Sequence, residues 1–180
     1  MAVAASIVVT GCGATKLKSV WMDETYQANP AKILVIGITK IPANRRLFED
    51  ECVKELQDRG TEAVAGYTLL PDRPQADMKE ILAKATEVGA DAVLVTRPIG
   101  MRTAPTTSPF GTYEDQFVDT QTNIYDVKSG KMIWTATMET WIMDYALNEG
   151  QIRSFVNVIV KELSKQKILK QAESEAGNKG

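Results

Sequence analysis

The stretch Lys32-Ile-Leu-Val-Ile-Gly-Ile38 is a continuous run of mainly branched apolar side chains. A strand covered on both faces carries such a run, whereas a strand with one solvated face alternates apolar and polar residues. The stretch Ala90-Asp-Ala-Val-Leu-Val-Thr96 is similarly apolar. Both stretches therefore predict central strands of a parallel sheet that has helices packed on it.

Two helices are predicted between these strands, with a short strand between them. Pro42 can open the first helix, and apolar residues then recur at three- and four-residue intervals until Gly60. The second helix begins at Asp77, with the spacing of a capping box, and ends at Gly89. Because crossovers between parallel strands are right-handed, residues 31–97 are expected to fold into a parallel sheet covered by helices.

The chain changes character after the third strand. Residues 97–115 contain three prolines and two glycines, which predicts a long irregular loop. A turn at Asp126-Val-Lys-Ser-Gly-Lys131 predicts an antiparallel hairpin, and Asn148 opens a last amphipathic helix. The complete prediction is a single α/β (α+β) domain over residues 31–168, with the order βαβαβββα. It is a two- or three-layer sandwich whose mixed sheet is parallel in its first half and ends in the antiparallel hairpin.

The composition excludes several classes of function. The chain has no histidine, and 21 Lys and Arg against 23 Asp and Glu give a net charge of −2. Without imidazole there is no Ser-His or Cys-His nucleophile pair and no histidine-containing zinc site. The near-neutral charge argues against a basic nucleic-acid surface. We therefore expect a protein that is not an enzyme, binds no nucleic acid and carries no metal or cofactor.

The first residues are typical of a secretory signal. Residues 2–9 are small or apolar, and this segment is too short to span a bilayer. They lead into Val9-Thr10-Gly11-Cys12, which resembles the lipobox of bacterial lipoproteins, with Cys12 as the lipidated residue. A signal peptide normally has Lys or Arg before its apolar segment, and none is present here. The sequence is therefore also consistent with a signal peptide that lacks its first residues. The alternative is a buried N-terminal strand that ends in an ordinary cysteine.

The lipobox resemblance implies a membrane anchor. Residues 1–11 would then be the signal peptide, residues 12–30 the lipidated Cys12 with a tether, and residues 169–180 a solvated tail. Acyl chains contribute roughly 0.8 kcal/mol per buried methylene, so lipid can hold a neutral protein on a membrane. Since Gly13 rather than Asp follows the cysteine, the resemblance implies the periplasmic face of the outer membrane of a Gram-negative bacterium.

The element order resembles a group of bacterial envelope lipoproteins, and so do two local motifs. The motifs are Val88-Gly-Ala-Asp-Ala-Val-Leu-Val95 and the hairpin Tyr125-Asp-Val-Lys-Ser-Gly-Lys-Met-Ile-Trp134. The group includes the curli secretion protein CsgG, the penicillin-binding-protein activator LpoB and the N-terminal domain of TolB. The resemblance covers residues 30–168. It implies a periplasmic domain that binds other envelope proteins, and it carries over no catalytic residues.

Two regions are candidates for a partner surface. The loop at 98–116 is long for a connector, although a mobile solvated loop is an equal alternative. Trp141 has the opposite strand parity from Trp134, so we expect Trp134 in the core and Trp141 as a surface anchor. Three large side chains of the loop are further candidates: Met101, Phe110 and Tyr113.

Other residues are weaker candidates. Arg45 and Arg46 lie at a helix start, where an anion could bind, but the chain lacks a glycine-rich phosphate motif and a solvated first turn is favoured. Cys52 lies on an apolar helix stripe and is predicted to be a buried free thiol. Asp91 is predicted to be a local turn ligand rather than a general base.

Together these observations predict a lipid-anchored periplasmic binding or scaffolding protein that acts through contacts with an unknown envelope protein. The first alternative is a subunit of an oligomeric outer-membrane secretion or pore assembly, in which copies of this chain would associate. The second alternative is a binder of small anionic ligands.

Overall fold

The computed structural model describes residues 14–71, 77–109, 111–142 and 147–169. They form one six-stranded sheet with three α-helices. The strands are β1 (Thr15–Met22), β2 (Lys32–Gly37), β3 (Glu62–Ala65), β4 (Ala92–Ser108), β5 (Gly111–Asp126) and β6 (Met132–Ile142). The helices are α1 (Pro42–Gln57), α2 (Met78–Glu87) and α3 (Glu149–Lys165).

The sheet is mixed and open, with the strand order β1-β6-β5-β4-β2-β3. β2 pairs in parallel with β3 and β4, whereas β4, β5, β6 and β1 pair antiparallel in succession. The predicted α+β class is therefore confirmed, including the parallel first half and the antiparallel hairpin. Ahead of the predicted order, the structure has one further strand, β1.

Helices cover the two faces of the sheet unequally. α1 and α3 pack on one face, over a core that includes Ile33, Leu94 and Trp134. α2 packs on the other face, over Leu34 and Val93. Since neighbouring residues of β2 and β4 point into different cores, both strands need apolar side chains at every position. This is the physical reason for the continuous apolar stretches in the sequence.

The ends of the helices follow the local signals in the sequence. Pro42 stands in the first turn of α1, and the chain leaves that helix through Gly60 with φ of 78°. Asp77 accepts a hydrogen bond from the Glu80 N–H at the start of α2. At α3, Asn148 and Gln151 form a complete capping box. These bonds satisfy amide groups that have no partner inside the helix.

The predicted tether over residues 12–30 is wrong where it includes β1. Thr15–Met22 pairs antiparallel with β6 as an edge strand, with the hydroxyls of Thr15 and Thr140 2.9 Å apart. Residues 16–21 are all exposed. Because neither face of this segment is fully covered, its sequence lacks the apolar alternation that marks a strand. Cys12 and the signal segment lie outside the described residues.

The predicted loop at 98–116 is also wrong, because the chain continues there as β4 and β5. Beyond Thr96, β4 has no β2 partner, so its outer edge is open. A bulge lies between Pro98 and Gly100. Because of the bulge, Pro98 lies opposite Thr120 and Pro105 opposite Glu114, which are an even number of residues apart on β5. The nitrogen atoms of both prolines therefore face the same, open edge of β4. A proline has no N–H to donate and is tolerated at an open edge.

Candidate interaction surface

The outer part of the β4–β5 hairpin projects beyond the rest of the sheet. The two strands pair from Ala92 opposite Asp126 to Ser108 opposite Gly111, with the bulge between Pro98 and Gly100. β6 ends where Ile142 lies opposite Gln116. Within the described residues, nothing else pairs with the hairpin beyond this point. The outer part of this long ladder therefore presents both of its faces to solvent.

Large apolar side chains of the hairpin are exposed. Met101 is 61% exposed, Tyr113 52% and Ile99 50%. Phe110, the fourth predicted contact residue, lies outside the described residues. Met101 and Ile99 lie where β4 leaves the sheet, whereas Tyr113 is opposite Thr106, close to the turn. The predicted contact residues are thus distributed along the hairpin rather than gathered in one patch.

Trp141 is half-buried and bonded to the hairpin. Its indole N–H donates to Asp115 Oδ1 at 3.0 Å, and the Thr106 hydroxyl donates to Asp115 Oδ2 at 2.5 Å. These two bonds, the Thr106 bond first, hold the pKa of Asp115 below its usual value. Trp141 lies on the opposite side of β6 from the buried Trp134, as the strand parity predicts. Its ring helps to fix the base of the hairpin.

A cluster of charged residues joins three strands on the sheet face opposite to the one on which α1 and α3 pack. Glu139 accepts hydrogen bonds from Arg102 Nε at 3.0 Å and from Lys18 Nζ at 3.1 Å. Burial raises the pKa of Glu139, but the bonds from Arg102 and Lys18 outweigh it, so that the pKa lies below the usual value. The Arg102 guanidinium also lies 4.2 Å from the centre of the Phe117 ring. Since these residues are far apart in sequence, no local pattern predicts the cluster.

The edge strand β1 carries a second group of exposed apolar side chains. Trp21 is 48% exposed, Leu17 37% and Val20 36%. One side of β1 pairs with β6, and within the described residues no strand pairs with its other side. Its outer backbone groups are therefore free to pair with another chain.

The two adjacent arginines of α1 have different surroundings. Arg45 is 3% exposed, and its guanidinium donates to Glu49 Oε1 and to the Leu70 carbonyl, each at 2.9 Å. Arg46 lies over the ring of Tyr67, 5.7 Å from its centre. Both residues line an open cleft of about 250 Å³. Because Arg45 is committed to internal partners and is not solvated, a bound anion would depend mainly on Arg46. The anion site stays a prediction.

Cys52 and Asp91 have the surroundings that the sequence indicates. The Cys52 side chain is fully buried, and burial raises the pKa of its thiol. Asp91 Oδ2 accepts from the backbone N–H groups of Ala31 and Lys32 at 2.8 and 3.0 Å, which ties the starts of β2 and β4 together. The Cys, Asp and Glu residues of the described ranges form no cluster suited to a metal ion. Over the same ranges, each helix is too short or too polar to cross a membrane.

Comparison with known proteins shows similarity at the level of fold. No protein-family description and no curated protein matches the sequence. The PelC dodecamer from Paraburkholderia phytofirmans has a TM-score of 0.51 and 15% identity, over 87% of this chain and 99% of that chain. Lipoprotein GNA1162 from Neisseria meningitidis has a TM-score of 0.46 and 14% identity, over 75% and 99% of the two chains.

A third similar structure is the hypothetical protein CT253 from Chlamydia trachomatis, with a TM-score of 0.45 and 12% identity, over 78% of this chain and 96% of that chain. All three similar structures are bacterial proteins, and the name of one identifies it as a lipoprotein. The chain thus has a fold similar to that of PelC.

Proposed function

We propose that this protein is a lipid-anchored component of the bacterial cell envelope, on the periplasmic face of the outer membrane, that acts by binding other proteins and has no catalytic activity. The lipobox-like residues 9–12 support the anchor, with Cys12 as the lipidated residue. The fold similarity to the bacterial protein PelC is in keeping with this proposal.

The observation that carries the binding role is the exposure of large apolar side chains where β4 leaves the sheet. Ile99 and Met101 are at least half exposed on a strand whose hydrogen-bonded ladder holds it in place. Exposed apolar side chains on a fixed backbone lose little conformational entropy on binding, and burying such groups is favourable. The base of the hairpin around these two residues is therefore the proposed contact with an envelope protein.

The anchor is tested by mass spectrometry of the protein isolated from bacterial membranes. The proposal expects an N-terminal Cys12 that carries acyl chains, and a Cys12→Ser variant that is not acylated and leaves the membrane fraction. A Cys12 that is unmodified and still joined to Gly11 would refute the anchor.

The partner surface is tested with a photo-crosslinking amino acid at Met101. The matched control places it at Lys128, which is exposed in the turn at the opposite end of β5. We expect one identified envelope protein to crosslink from position 101 and not from position 128, and to be lost from purifications of the Met101→Glu variant. Equal crosslinking from both positions would argue against a specific surface.

A second candidate is self-association, which the exposed β1 edge favours. Trp21, Leu17 and Val20 are exposed beside unpaired backbone groups, and PelC, which has a similar fold, is a dodecamer. Light scattering of the detergent-purified protein tests it. Self-association through β1 predicts an oligomer that a Trp21→Glu substitution weakens and a Lys128→Glu substitution does not. A wild-type protein that is monomeric at all concentrations would exclude this candidate.

A further inference from the structure

A narrow apolar cleft lies between the starts of α1 and α3, on the sheet face that these helices cover. It has a volume of about 80 Å³. Phe48 and Phe155 line it with their ring centres 5.9 Å apart, and Ile152 lies beside them. The sheet side of the cleft is lined by residues of β4 and β5 that include Pro98, Val118 and Thr120. The cleft therefore lies next to the base of the β4–β5 hairpin.

The Thr120 side chain gives this cleft a polar group without a partner. Thr120 is 8% exposed, and within the described residues its hydroxyl makes no hydrogen bond. The other buried threonines nearby are paired, since Thr96 bonds to Thr122 and Thr140 bonds to Thr15, each at 2.9 Å. An unpaired hydroxyl in a buried side chain is unfavourable. A ligand group that enters the cleft and bonds to Thr120 would satisfy it.

A larger cleft with cationic side chains adjoins the apolar one. It has a volume of about 250 Å³ and shares Thr39 and Arg45 with the apolar cleft. Lys40 and Arg46 also line it. Arg45 is already paired with the buried carboxylate of Glu49 at 2.9 Å. The positive charge that remains for a ligand therefore comes from Lys40 and Arg46.

The start of α1 lies where the two clefts meet, and it has no side-chain cap. Ile41 occupies the N-cap position, and the first turn contains no acidic residue. In the part of the chain that the structure describes, the N–H groups of Ala43 and Asn44 have no acceptor. The start of α3, by contrast, is capped by Asn148 and Gln151. Free N–H groups at a helix start, together with two nearby cations, favour a carboxylate.

The two clefts together define the shape of a ligand. A cavity of about 150 Å³ holds a benzene molecule, so the apolar cleft admits a short aliphatic chain but no aromatic ring. The carboxylate belongs in the adjoining cationic cleft, and a hydrogen-bonding group is needed for Thr120. The last residue of a peptide combines these three features when its side chain is aliphatic: it has that side chain, a free carboxylate and a peptide group.

We propose that the two clefts bind the C-terminus of a partner protein that ends in valine, leucine or isoleucine. The side chain of that last residue lies between Phe48 and Phe155. Its carboxylate lies at the start of α1, near Lys40 and Arg46, and its peptide group bonds to Thr120. This assignment rests on the proposed binding role and adds the chemistry of the partner. The base of the hairpin then contacts the rest of that partner.

The test uses the full chain with Cys12→Ser, which carries no lipid, so that no detergent competes for the apolar cleft. The probe is a short glycine–serine peptide that ends in a free leucine. NMR titration measures its Kd through the backbone amide signals of Ala43 and Asn44. We expect the same peptide with a C-terminal amide, or with a C-terminal tryptophan, to bind about tenfold more weakly. Equal binding of the acid and the amide would overturn the proposal.

A free carboxylic acid is the other source of the same chemistry. The probe for it is 4-methylpentanoate, which has the aliphatic group and the carboxylate of leucine but no peptide group. Because it offers nothing to the peptide-binding hydroxyl of Thr120, we expect it to bind roughly fivefold more weakly than the peptide. Equal binding of 4-methylpentanoate and the peptide would overturn the assignment to a protein C-terminus.

Variants of the chain separate binding from folding. Thr120→Val removes the unpaired hydroxyl, so we expect peptide binding to weaken roughly fivefold while the urea midpoint stays the same or rises. Arg46→Glu should weaken binding about tenfold. Its matched control, Lys161→Glu at an exposed position of α3, should leave the Kd unchanged. A Thr120→Val variant that binds the peptide as tightly as the wild type would contradict the role of Thr120.

The outcomes also distinguish this assignment from the proposed function. If position 101 crosslinks an envelope protein, and removal of that protein's last residue leaves the crosslink unchanged, the C-terminal contact is wrong and the binding role stands. If position 101 captures no protein and the peptide does not bind, both are wrong.

Discussion

Glu49 Oε1 accepts a hydrogen bond from the backbone N–H of Gly37 at 2.8 Å, although the Glu49 side chain is completely buried. The same oxygen accepts from Arg45 Nε at 2.9 Å, and Oε2 accepts from the Tyr67 N–H at 2.6 Å. One carboxylate thus joins α1 to the end of β2 and to the short 3₁₀ turn Gly66–Thr68. Its three partners come from separate parts of the chain, so it holds the start of α1 in place.

The first prediction is that Glu49→Gln destabilises the protein strongly. The substitution replaces one carboxylate oxygen with an NH₂ group, which then faces an N–H donor instead of accepting from it. Arg45 also loses its counter-charge. Breaking a buried ion pair in this way costs about 3–5 kcal/mol. Urea denaturation measures the change. The control is Glu87→Gln, whose side chain is 62% exposed, and which should stay within about 0.5 kcal/mol. A Glu49→Gln loss as small as that of the control would contradict the role of Glu49.

The second prediction concerns the close approach of Gly66 to β2. A Cβ atom at Gly66 would lie 2.2 Å from Ile36 Cδ1 and 2.8 Å from the Val35 carbonyl oxygen. Gly66→Ala should therefore cost about 1–3 kcal/mol through overpacking. Gly100→Ala is the matched control, since a Cβ there meets nothing within 4 Å. Thermal unfolding of both variants gives the comparison, and equal midpoints would show that the backbone near Gly66 can move aside.

The third prediction tests the cap of α3. The Asn148 side chain accepts from the Gln151 backbone N–H at 2.9 Å, and the Gln151 side-chain oxygen accepts from the Asn148 backbone N–H. Removing the cap with Asn148→Ala should cost about 1 kcal/mol, whereas Asn148→Ser should restore nearly all of it. Denaturant titration measures the free energy of unfolding of both variants. If serine is as damaging as alanine, the side chain has a role other than capping.

The fourth prediction concerns the pKa of Asp115. Its low pKa means that this carboxylate favours the folded state above pH 3.8, and that the contribution is lost as the pH falls through the folded-state pKa. Because the Thr106 hydroxyl is the leading cause, Thr106→Val should raise the pKa of Asp115. Thr107→Val is the control, since its hydroxyl pairs with Thr112. The NMR shift of the Asp115 carboxyl carbon reports the change, and an unaltered titration would contradict it.

The helices and their ends could be predicted from the sequence because their signals are local. Pro42, Gly60 and Asn148 each act within one turn of the chain, and the apolar stretches of β2 and β4 reflect burial on both faces. Trp134 could be placed in the core by strand alternation alone, and its indole N–H meets Gln166 at 2.8 Å. Patterns of this kind do not depend on distant residues.

β1 and the outer hairpin could not be predicted because their signals depend on the rest of the sheet. β1 is a strand because β6 offers it a free edge, and its own residues remain mostly exposed. Pro98 and Pro105 indicate a loop unless it is known that β2 stops at Gly37 and leaves one side of β4 open. Likewise, the ion pair of Arg102 with Glu139 joins residues that only the register brings together.

The bulge at Ile99 decides whether the hairpin can exist. If Ile99 were instead paired as part of a regular ladder, the register beyond it would shift by one step, and Pro105 would turn toward β5, where a ladder hydrogen bond would be lost. In the native register, both prolines instead leave gaps in the row of donors along the outer edge of β4. A foreign strand that pairs with this edge finds those donors missing, so the longest of the described strands is protected against edge-to-edge aggregation.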